Sequence, residues 1–236
     1  MAKMGKSAKL VEGRHTLAVK VKTAKYKKKS SNQWLLRQFN DPYVSEAKRL
    51  GYRSRAAFKL IQLDEKYHFL GKGKNIVDLG CAPGGWTQVA AFCNKGKGKV
   101  IGIDILPTEP IEGAELIMQD FTSEDAGDKL IALLDGEADV VMSDMAANTI
   151  GHQQTDHLRT IALVEAAYDF AKQVLKKGGI FIAKVFQGGA EGELLSDAKR
   201  NFEKVAHFKP AASRKESPET YLVAQGYKKM TTNEEE

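Results

Sequence analysis

Acidic residues stand at the ends of successive apolar runs in this chain, in positions suited to holding a nucleoside. Asp104 follows "KVIGI", about 20 residues beyond a glycine-rich corner, where a carboxylate accepts hydrogen bonds from both hydroxyls of a ribose. Asp120 follows "ELIMQ", where it can accept a hydrogen bond from an adenine amino group. Asp144 follows "ADVVMS", and Asp78 lies in the first apolar run. A single acid at a strand end is more often a turn former, but this repetition favours an adenosine-containing cofactor.

The glycine-rich corner lies in "NIVDLGCAPGGWTQ", residues 75–88. Gly80, Gly84 and Gly85 let the backbone approach a ligand and leave a helix N-terminus directed at it. The spacing G-x-x-x-G-G, with Pro83 inside it, differs from the G-x-G-x-x-G of dinucleotide-binding folds. The corner therefore favours a cofactor that needs no pyrophosphate site, with close packing of helix on strand as the alternative.

One lysine occupies a run that is otherwise suited to a buried central strand. Lys184 lies within "GIFIAKVFQ", where a charged amine is costly unless it is paired. That cost predicts a functional role for Lys184. Lys59, by contrast, is predicted from its own segment "SRAAFKLIQL" to be an ordinary solvated lysine on a helix.

These side chains need a scaffold, which the alternation of two patterns predicts. Helical spacing of apolar residues predicts helices over 156–175 and 191–202. Residues 207–227 hold two strand-like runs without a long helix between them, which predicts an antiparallel hairpin at a sheet edge. The pattern indicates an α/β fold with an open, doubly wound, mostly parallel sheet, whose ligands bind at the carboxyl ends of the strands. Short β-branched runs typical of parallel strands occupy residues 75–80, 99–105, 115–121, 138–146 and 179–187.

Basic residues are concentrated at the N-terminus. Residues 1–40 carry eleven Lys or Arg and one acidic residue, whereas the other 196 residues carry 25 basic and 29 acidic ones. Lysines interleaved with Tyr26 and Trp34 suit a polyanion whose counterions are released on binding. We therefore expect residues 1–32 to form a flexible arm that contacts RNA, with a solvated extension as the alternative.

Composition limits the remaining classes. The 236 residues are long enough for one large domain, and no run approaches the roughly 18 consecutive apolar residues of a membrane span. The lysine-rich start is unlike a secretory signal, so we expect a cytoplasmic protein. Cys81 and Cys93 form neither a disulfide framework nor a zinc motif. We expect His152, Asp156 and His157 to be ordinary loop and helix-cap residues and not metal ligands.

Several motifs together resemble those of the FtsJ-like ribosomal RNA 2′-O-methyltransferases. The resemblance spans residues 33–227 in unbroken order, leaving residues 228–236 as a polar tail. The lead-in "SSNQWLLRQFNDPYV" looks particularly like the bacterial large-subunit enzymes, which methylate a uridine ribose. Ala147 departs from the family, which usually has proline there, whereas Asp144 and Asn148 are in place. The matching motifs are "YRSRAAFKL", "VDLGCAPGGWTQ", "GIDILP", "QDFT", "VMSDMAANTIG", "GGIFIAKVFQG" and "ETYLVA".

The resemblance implies a seven-stranded Rossmann-like methyltransferase domain with an antiparallel edge strand, using S-adenosylmethionine and acting on ribosomal RNA. The chemistry of methyl transfer needs no metal, and we expect a monomer. It implies a catalytic tetrad of Lys59, Asp144, Lys184 and Glu219. The predicted cofactor-binding residues are Asp78, Gly80, Pro83, Gly84, Gly85, Trp86, Asp104, Ile105, Asp120, Phe121 and Asp144.

Two questions stay open from the sequence. Lys184 is the candidate base for the 2′-hydroxyl, a role that requires a neutral amine, or it orients the hydroxyl together with Asp144 while the proton is lost late. The first-choice substrate is large-subunit ribosomal RNA, and the alternatives are transfer RNA or an mRNA cap. A non-catalytic RNA-binding module is the third class, which the complete tetrad disfavours.

Overall fold

The computed structural model describes residues 40–147, 153–186 and 192–229. The predicted arm, the tail beyond residue 229, Asn148, His152 and the side chain of Asp156 lie outside the described residues. Within the described ranges, no helix is long and apolar enough to span a bilayer. The same ranges contain no group of three or more His, Cys, Asp or Glu side chains placed to hold a metal ion.

Helices and strands alternate along the described chain. The helices are α1 (Pro42–Leu50), α2 (Ala56–Tyr67), α3 (Gly85–Asn94), α4 (Ala126–Leu134), α5 (Gln153–Val174) and α6 (Gly192–Asn201). The strands are β1 (Ile76–Leu79), β2 (Val100–Asp104), β3 (Glu115–Met118), β4 (Ala138–Ser143), β5 (Leu175–Phe186), β6 (Phe202–Phe208) and β7 (Glu219–Tyr227). Each predicted apolar run overlaps a strand, although β5 begins four residues before its run, and both predicted helices are present with bounds that differ by at most three residues.

The strands form one seven-stranded sheet in the order β3-β2-β1-β4-β5-β7-β6. Strands β1 to β5 are parallel, and β7 runs antiparallel to both β5 and β6. The doubly wound, mostly parallel sheet with a C-terminal hairpin at its edge is therefore confirmed. Within the hairpin, β7 is the inner strand and its residues 220–224 are all buried, whereas β6 is largely exposed and lies outermost.

Helices cover both faces of the sheet. Helices α1, α2 and α3 pack on the face that carries Ile182 and Val223, and α4, α5 and α6 pack on the face that carries Phe181 and Leu222. Because neighbouring residues of a strand point to opposite faces, the parity of a residue decides which helical layer it meets. This parity places Lys184 of β5 and Glu219 and Tyr221 of β7 towards the first layer.

Helix α1 was not expected from the sequence. Asp41 caps its N-terminus by accepting a 3.0 Å hydrogen bond from the backbone N–H of Tyr43, and Pro42 occupies its first turn. Gly51, with φ at 77°, ends it in the left-handed conformation. These cap residues are a recognisable helix signal in the sequence.

Strand β3 differs from its prediction as a buried strand. It lies at the edge of the sheet, and its four residues are exposed or half-buried, with Met118 69% exposed. The strand ends at Met118, so Asp120 lies in the following turn and not at the last position of the strand. Edge position leaves one side of β3 without a neighbouring strand, and the burial expected of an interior strand is lost.

Candidate active site

A cleft of about 510 Å³ lies at the carboxyl ends of β1 to β4. This volume falls within the roughly 300–1,000 Å³ of small-molecule sites. Six of the predicted cofactor-binding residues line it, namely Gly80, Asp104, Ile105, Asp120, Phe121 and Asp144. The other five are not among the lining residues, namely Asp78, Pro83, Gly84, Gly85 and Trp86.

Gly80 brings the ends of two strands together at the cleft. It follows β1 with φ at 81°, and its N–H donates a 2.9 Å hydrogen bond to the carbonyl oxygen of Ile103. A Cβ at this position would lie 2.5 Å from Cγ of Met145 and 3.1 Å from its backbone. Only glycine therefore permits both the positive φ and the close approach of the segment after β4.

Gly84 and Gly85 leave no room for a side chain against neighbouring loop residues. A Cβ on Gly84 would meet Ile111 at 2.7 Å and Arg53 at 3.0 Å, and one on Gly85 would lie 2.3 Å from Oγ of Ser54. The guanidinium of Arg53 donates to the carbonyl oxygen of Glu109 at 2.6 Å. Arg53 thus ties the loop after β2 to the glycine corner, a positioning role that the sequence did not indicate.

Asp104 joins two loops of the cleft through its carboxylate. Oδ2 accepts a 2.8 Å hydrogen bond from the N–H of Ala82, and Oδ1 accepts one of 2.8 Å from the N–H of Leu106. A carboxylate has about four acceptor positions, so both oxygens retain capacity for ligand hydroxyls. The backbone bonds fix the orientation of the carboxylate before a ligand arrives.

Asp120 is an exposed carboxylate held by its own turn. Its Oδ1 accepts hydrogen bonds from Oγ1 of Thr122 at 2.7 Å and from the Thr122 N–H at 2.9 Å. These bonds lower the pKa of Asp120, with the hydroxyl contribution the largest. Ile105 and Leu106, 53% and 59% exposed, add apolar surface to the same cleft. The cleft therefore combines charged acceptors with an apolar wall.

Asp78 is fully buried beneath the corner. Its Oδ2 accepts a 2.5 Å hydrogen bond from Oγ1 of Thr87, and its Oδ1 has no hydrogen-bond partner among the described residues. Burial raises the pKa of Asp78 to about 7, and the negative charges of Asp144 and Asp104 act in the same direction. Asp78 therefore titrates near neutral pH inside the protein.

Lys184 and Asp144 form an ion pair next to the cleft. The Lys184 Nζ lies 3.2 Å from Oδ1 of Asp144 and also donates to the Asp144 backbone oxygen. The Lys184 side chain is only 9% exposed, as its position in an apolar strand predicts. The pairing of Ser143 with Ala183 in neighbouring parallel strands brings the two charged residues together.

Lys59 and Glu219 form a second ion pair. The Lys59 Nζ lies 2.7 Å from Oε1 of Glu219, and both side chains are largely buried. Lys59 is therefore not the solvated lysine that its own segment predicts, because the start of β7 covers its face of α2. Local sequence contains no sign of that tertiary contact.

Tyr221 connects the two pairs and was not predicted as a site residue. It is fully buried, and its hydroxyl donates a 2.8 Å hydrogen bond to Oδ1 of Asp144. The Lys59 Nζ lies 5.7 Å from the centre of its ring, and Trp86 packs against that ring at 5.5 Å. Tyr221 follows Glu219 by two residues in β7, and that period-two spacing is the sequence signal for their shared face.

The ion-pair centre, defined as Lys59, Asp144, Lys184, Glu219 and Tyr221, keeps both carboxyl groups ionised. Burial alone would raise the pKa of Asp144, but the charges of Lys184 and Lys59 and the Tyr221 hydrogen bond hold it below its ordinary value. Burial likewise opposes the lowered pKa of Glu219, where the charge of Lys59 prevails. Burial raises the pKa of Tyr221 well above its ordinary value, so its hydroxyl remains a donor.

Ala147 closes the cleft on the β4 side. Its N–H donates a 3.4 Å hydrogen bond to Oγ1 of Thr160 in α5. Proline at this position would have no N–H for that bond. The departure from the family pattern therefore comes with a backbone contact that proline could not make.

Known proteins resemble this chain in sequence and in fold. Residues 52–227 match the family model of the FtsJ-like methyltransferases. Ribosomal RNA large subunit methyltransferase E of Paramagnetospirillum magneticum is 60% identical over 221 residues, covering 92% of this chain and 91% of that protein. The protein of the same name from Azorhizobium caulinodans is 59% identical over 215 residues, covering 90% of each. A crystal structure described as a ribosomal RNA methyltransferase from Plasmodium falciparum has a TM-score of 0.64 and 38% identity, covering 75% of this chain and 98% of that one.

Proposed function

Because the chain belongs to the FtsJ-like methyltransferase family, we propose that it methylates the 2′-hydroxyl of a uridine ribose in large-subunit ribosomal RNA, using S-adenosylmethionine. The observation that carries this proposal is the position of Asp144, which lines the cleft and also pairs with Lys184. A cofactor in the cleft and a hydroxyl at the ion pair would meet at this side chain, as an in-line displacement requires.

The residues of the cleft fit S-adenosylmethionine. Asp104 would accept hydrogen bonds from its ribose hydroxyls, and Asp120 would accept one from the adenine amino group. Ile105 and Leu106 offer apolar surface to the adenine ring. When bound, the cofactor supplies an electrophilic methyl group on a positively charged sulfur. Phe121 adds a wall of the cleft that packs edge-on against Phe170 of α5, with 5.6 Å between ring centres.

The ion-pair centre would bind and orient the hydroxyl. Lys184 is the proposed base for the 2′-hydroxyl proton, and to accept it the amine must first lose the proton that it carries in the ion pair with Asp144. In this role Asp144 holds the Lys184 amine in place through their contact, and the hydrogen bond from Tyr221 fixes the orientation of Asp144. In the second arrangement, Lys184 and Asp144 only hold the hydroxyl, and the proton leaves late. Lys59, fixed by Glu219, keeps a positive charge beside Asp144 in either case.

The proposed substrate follows from the relatives and from charge. The two curated relatives are named as ribosomal RNA large subunit methyltransferases, and the N-terminal 40 residues of this chain carry eleven basic residues. We propose that residues 1–32 are an RNA-binding arm and residues 33–227 the methyltransferase domain, working as a cytoplasmic monomer. The displacement proposed here uses no metal ion.

The proposal is tested by methyl transfer from labelled S-adenosylmethionine to total RNA of a strain that lacks the gene, followed by mapping of the label. We expect one labelled ribose in the large-subunit RNA, at a uridine. Separate assays on naked RNA and on assembled subunits identify the accepted form.

Other outcomes of the same experiment would overturn parts of the proposal. Label in transfer RNA or at an mRNA cap would replace the proposed substrate but keep the chemistry. Label that alkali releases, or label on a nucleobase, would contradict 2′-O-methylation. Binding of RNA without transfer, with cofactor present, would favour the non-catalytic module.

A further inference from the structure

A second pocket, also of about 510 Å³, adjoins the ion-pair centre at Lys59 and Glu219. The cofactor cleft adjoins the same centre at Asp144. The second pocket contains neither of the acids proposed to hold the cofactor, and its remaining walls include Arg55 and Arg214. We call it the arginine pocket. A substrate reacting at Lys184 and Asp144 therefore has two ways to extend, and the cofactor takes one of them.

The arginine pocket has two guanidinium groups that share one carboxylate. The Nε of Arg55 lies 3.0 Å from Oδ2 of Asp41, and the Nε of Arg214 lies 3.8 Å from the same oxygen. Oδ1 of Asp41 already caps α1 through the N–H of Tyr43. One carboxylate thus faces two positive charges, so Asp41 by itself leaves one positive charge of the two arginines unmatched.

The protein holds one of the two arginines more firmly than the other. Arg55 is mostly buried and also donates to the backbone oxygen of Ala212, so it is fixed in place. Burial lowers the pKa of Arg55, and the nearby positive charge of Arg214 lowers it further. The carboxylates of Asp41 and Glu219 act in the opposite direction. Arg214 is 30% exposed and opens to the pocket. An anion bound there would relieve the repulsion between the two guanidinium groups.

Three further charged residues line the pocket, namely Lys59, Glu216 and Glu219. Lys59 is matched by Glu219 at 2.7 Å. Glu216 formally offsets the remaining positive charge, but it is exposed, so water and salt screen its carboxylate. A guanidinium presents a fork of donors that matches phosphate oxygens. The chemistry of the pocket therefore suits a phosphate group.

We infer that the arginine pocket binds the phosphodiester on the 3′ side of the methylated ribose, with Arg214 as the contacting residue. This inference rests on the proposed function. In a ribonucleotide, the 3′-oxygen lies on the carbon next to the one that carries the 2′-hydroxyl, and the 5′-phosphorus is two bonds further from the 2′-oxygen than the 3′-phosphorus. With the 2′-hydroxyl at Asp144 and Lys184, the 3′-phosphate is the nearest anion of the substrate. Lys59 belongs to the ion-pair centre and also lines the arginine pocket, so the two are adjacent.

The first test compares Arg214→Gln, Arg214→Lys and the control Lys204→Gln in the full-length protein. Lys204 is exposed on β6 and pairs in register with Gln225, about six residues along β7 from Glu219, or about 20 Å. We expect Arg214→Gln to raise the KM for ribosomal RNA about tenfold. It should also lower the slope of log affinity against log salt by about one. Arg214→Lys should restore the slope, and Lys204→Gln should change neither quantity.

The second test uses uridine 3′-monophosphate and uridine 5′-monophosphate as inhibitors of methyl transfer. The 3′-monophosphate should inhibit at a lower concentration than the 5′-monophosphate. That preference should disappear in Arg214→Gln and persist in Lys204→Gln. Calorimetry with S-adenosylmethionine should give unchanged affinity in every variant, which shows that the fold and the cleft are intact.

The outcomes separate this inference from the proposed function. If the wild type fails to methylate ribosomal RNA, the proposed function is wrong and the pocket assignment with it. If the wild type methylates RNA but both monophosphates inhibit equally, or Arg214→Gln keeps the preference, the 3′-phosphate assignment alone is wrong. A changed salt slope without a changed preference would place Arg214 on another phosphate and would also overturn the assignment.

Discussion

The cofactor cleft and the ion-pair centre hold their acidic groups in opposite ways. In the cleft, the carboxylates of Asp104 and Asp120 are fixed mainly by backbone N–H groups and a neighbouring hydroxyl of nearby loops. In the ion-pair centre, Asp144 and Glu219 are fixed by side chains from other elements. Local structure thus builds the cleft, whereas the centre exists only when α2, β4, β5 and β7 are packed together. Removal of one charged side chain should therefore lower the rate of methyl transfer more in the ion-pair centre than in the cleft.

The largest expected effect follows from removing the amine of the centre. Lys184→Ala should lower the single-turnover rate of methyl transfer by about 10²- to 10⁴-fold, the usual contribution of a positioned acid or base. Cofactor affinity should stay near that of the wild type, because Lys184 does not line the cleft. Lys177→Ala, an exposed lysine of the same strand, is the control and should transfer at the normal rate.

The size of the loss in Lys184→Ala distinguishes its two proposed roles. A severe loss supports proton removal by the amine, and a modest one supports an orienting role. A near-normal rate with saturating RNA would contradict both.

In the cleft, the next effect concerns cofactor affinity. Asp104→Ala removes charged hydrogen bonds and should raise the dissociation constant of S-adenosylmethionine by about tenfold to hundredfold, from about 1.5–3 kcal/mol. Calorimetry measures this change. Asp125→Ala removes an exposed acid that pairs with Lys129 and should leave the affinity unchanged. Equal affinity in Asp104→Ala and wild type would remove the cofactor assignment of the cleft.

Gly84→Val tests a different property from Asp104→Ala. Its side chain would collide with Ile111 and Arg53, at a φ of 101° that valine rarely adopts. We expect a lower free energy of unfolding in the first place, and any loss of cofactor affinity would follow from the displaced loop. Cofactor binding in this variant is therefore meaningful only with its thermal stability measured alongside.

The same contrast explains how much of the molecule the sequence predicts. The strands, α5 and α6 follow from hydrophobic periodicity, and the acids of the cleft follow from their places after strands. Lys184 is conspicuous because its own strand is apolar. Lys59 is not, because its burial depends on Glu219, 160 positions later in the chain.

Other features escaped prediction for separate physical reasons. Nothing in the run 115–121 shows that its strand lies at an edge, since position in a sheet is decided by the other strands. The glycines at 84 and 85 are needed against side chains of distant segments, which local spacing does not contain. Helix α1 was predictable from Asp41 and Pro42, whose cap pattern is local.

Asp78 is buried close to both regions, since the charges of Asp144 and Asp104 both raise its pKa. Its pKa of about 7 in the folded protein is above the ordinary value of 3.8, so folding favours its protonated form. This contribution to stability is complete below pH 3.8, declines as the pH rises and is lost above about 7. Between pH 5 and pH 8 the wild type should lose roughly 3 kcal/mol from this group.

Asp78→Asn replaces the titrating carboxyl group with a neutral amide, so the variant should not show this pH-dependent loss of stability. Urea unfolding at pH 5 and pH 8, compared between variant and wild type, measures the difference. If both show the same change between the two pH values, Asp78 is not the titrating group.

A smaller effect on methyl transfer is expected from a substitution that leaves the charges of the ion-pair centre unchanged. Tyr221→Phe deletes only the hydrogen bond to Asp144 and should lower the single-turnover rate about tenfold. The ring remains for contact with Trp86 and Lys59, so stability should change little. Tyr227→Phe, which removes a hydroxyl bonded to the Lys172 backbone, is the matched control and should keep the rate. A full rate in Tyr221→Phe would show that the lysines alone orient Asp144.

The smallest effect on either region should come from deleting residues 1–30. If this basic segment binds phosphates, its removal should weaken RNA binding across many sequences and lower the salt dependence by about one unit for each phosphate it had neutralised. The cleft and the centre lie within residues 52–224, so cofactor affinity and the rate at saturating RNA should persist, and the defect should appear as a raised KM. An unchanged KM and salt slope would make the segment irrelevant to RNA. Loss of cofactor binding would mean that the boundary between arm and methyltransferase domain is misplaced.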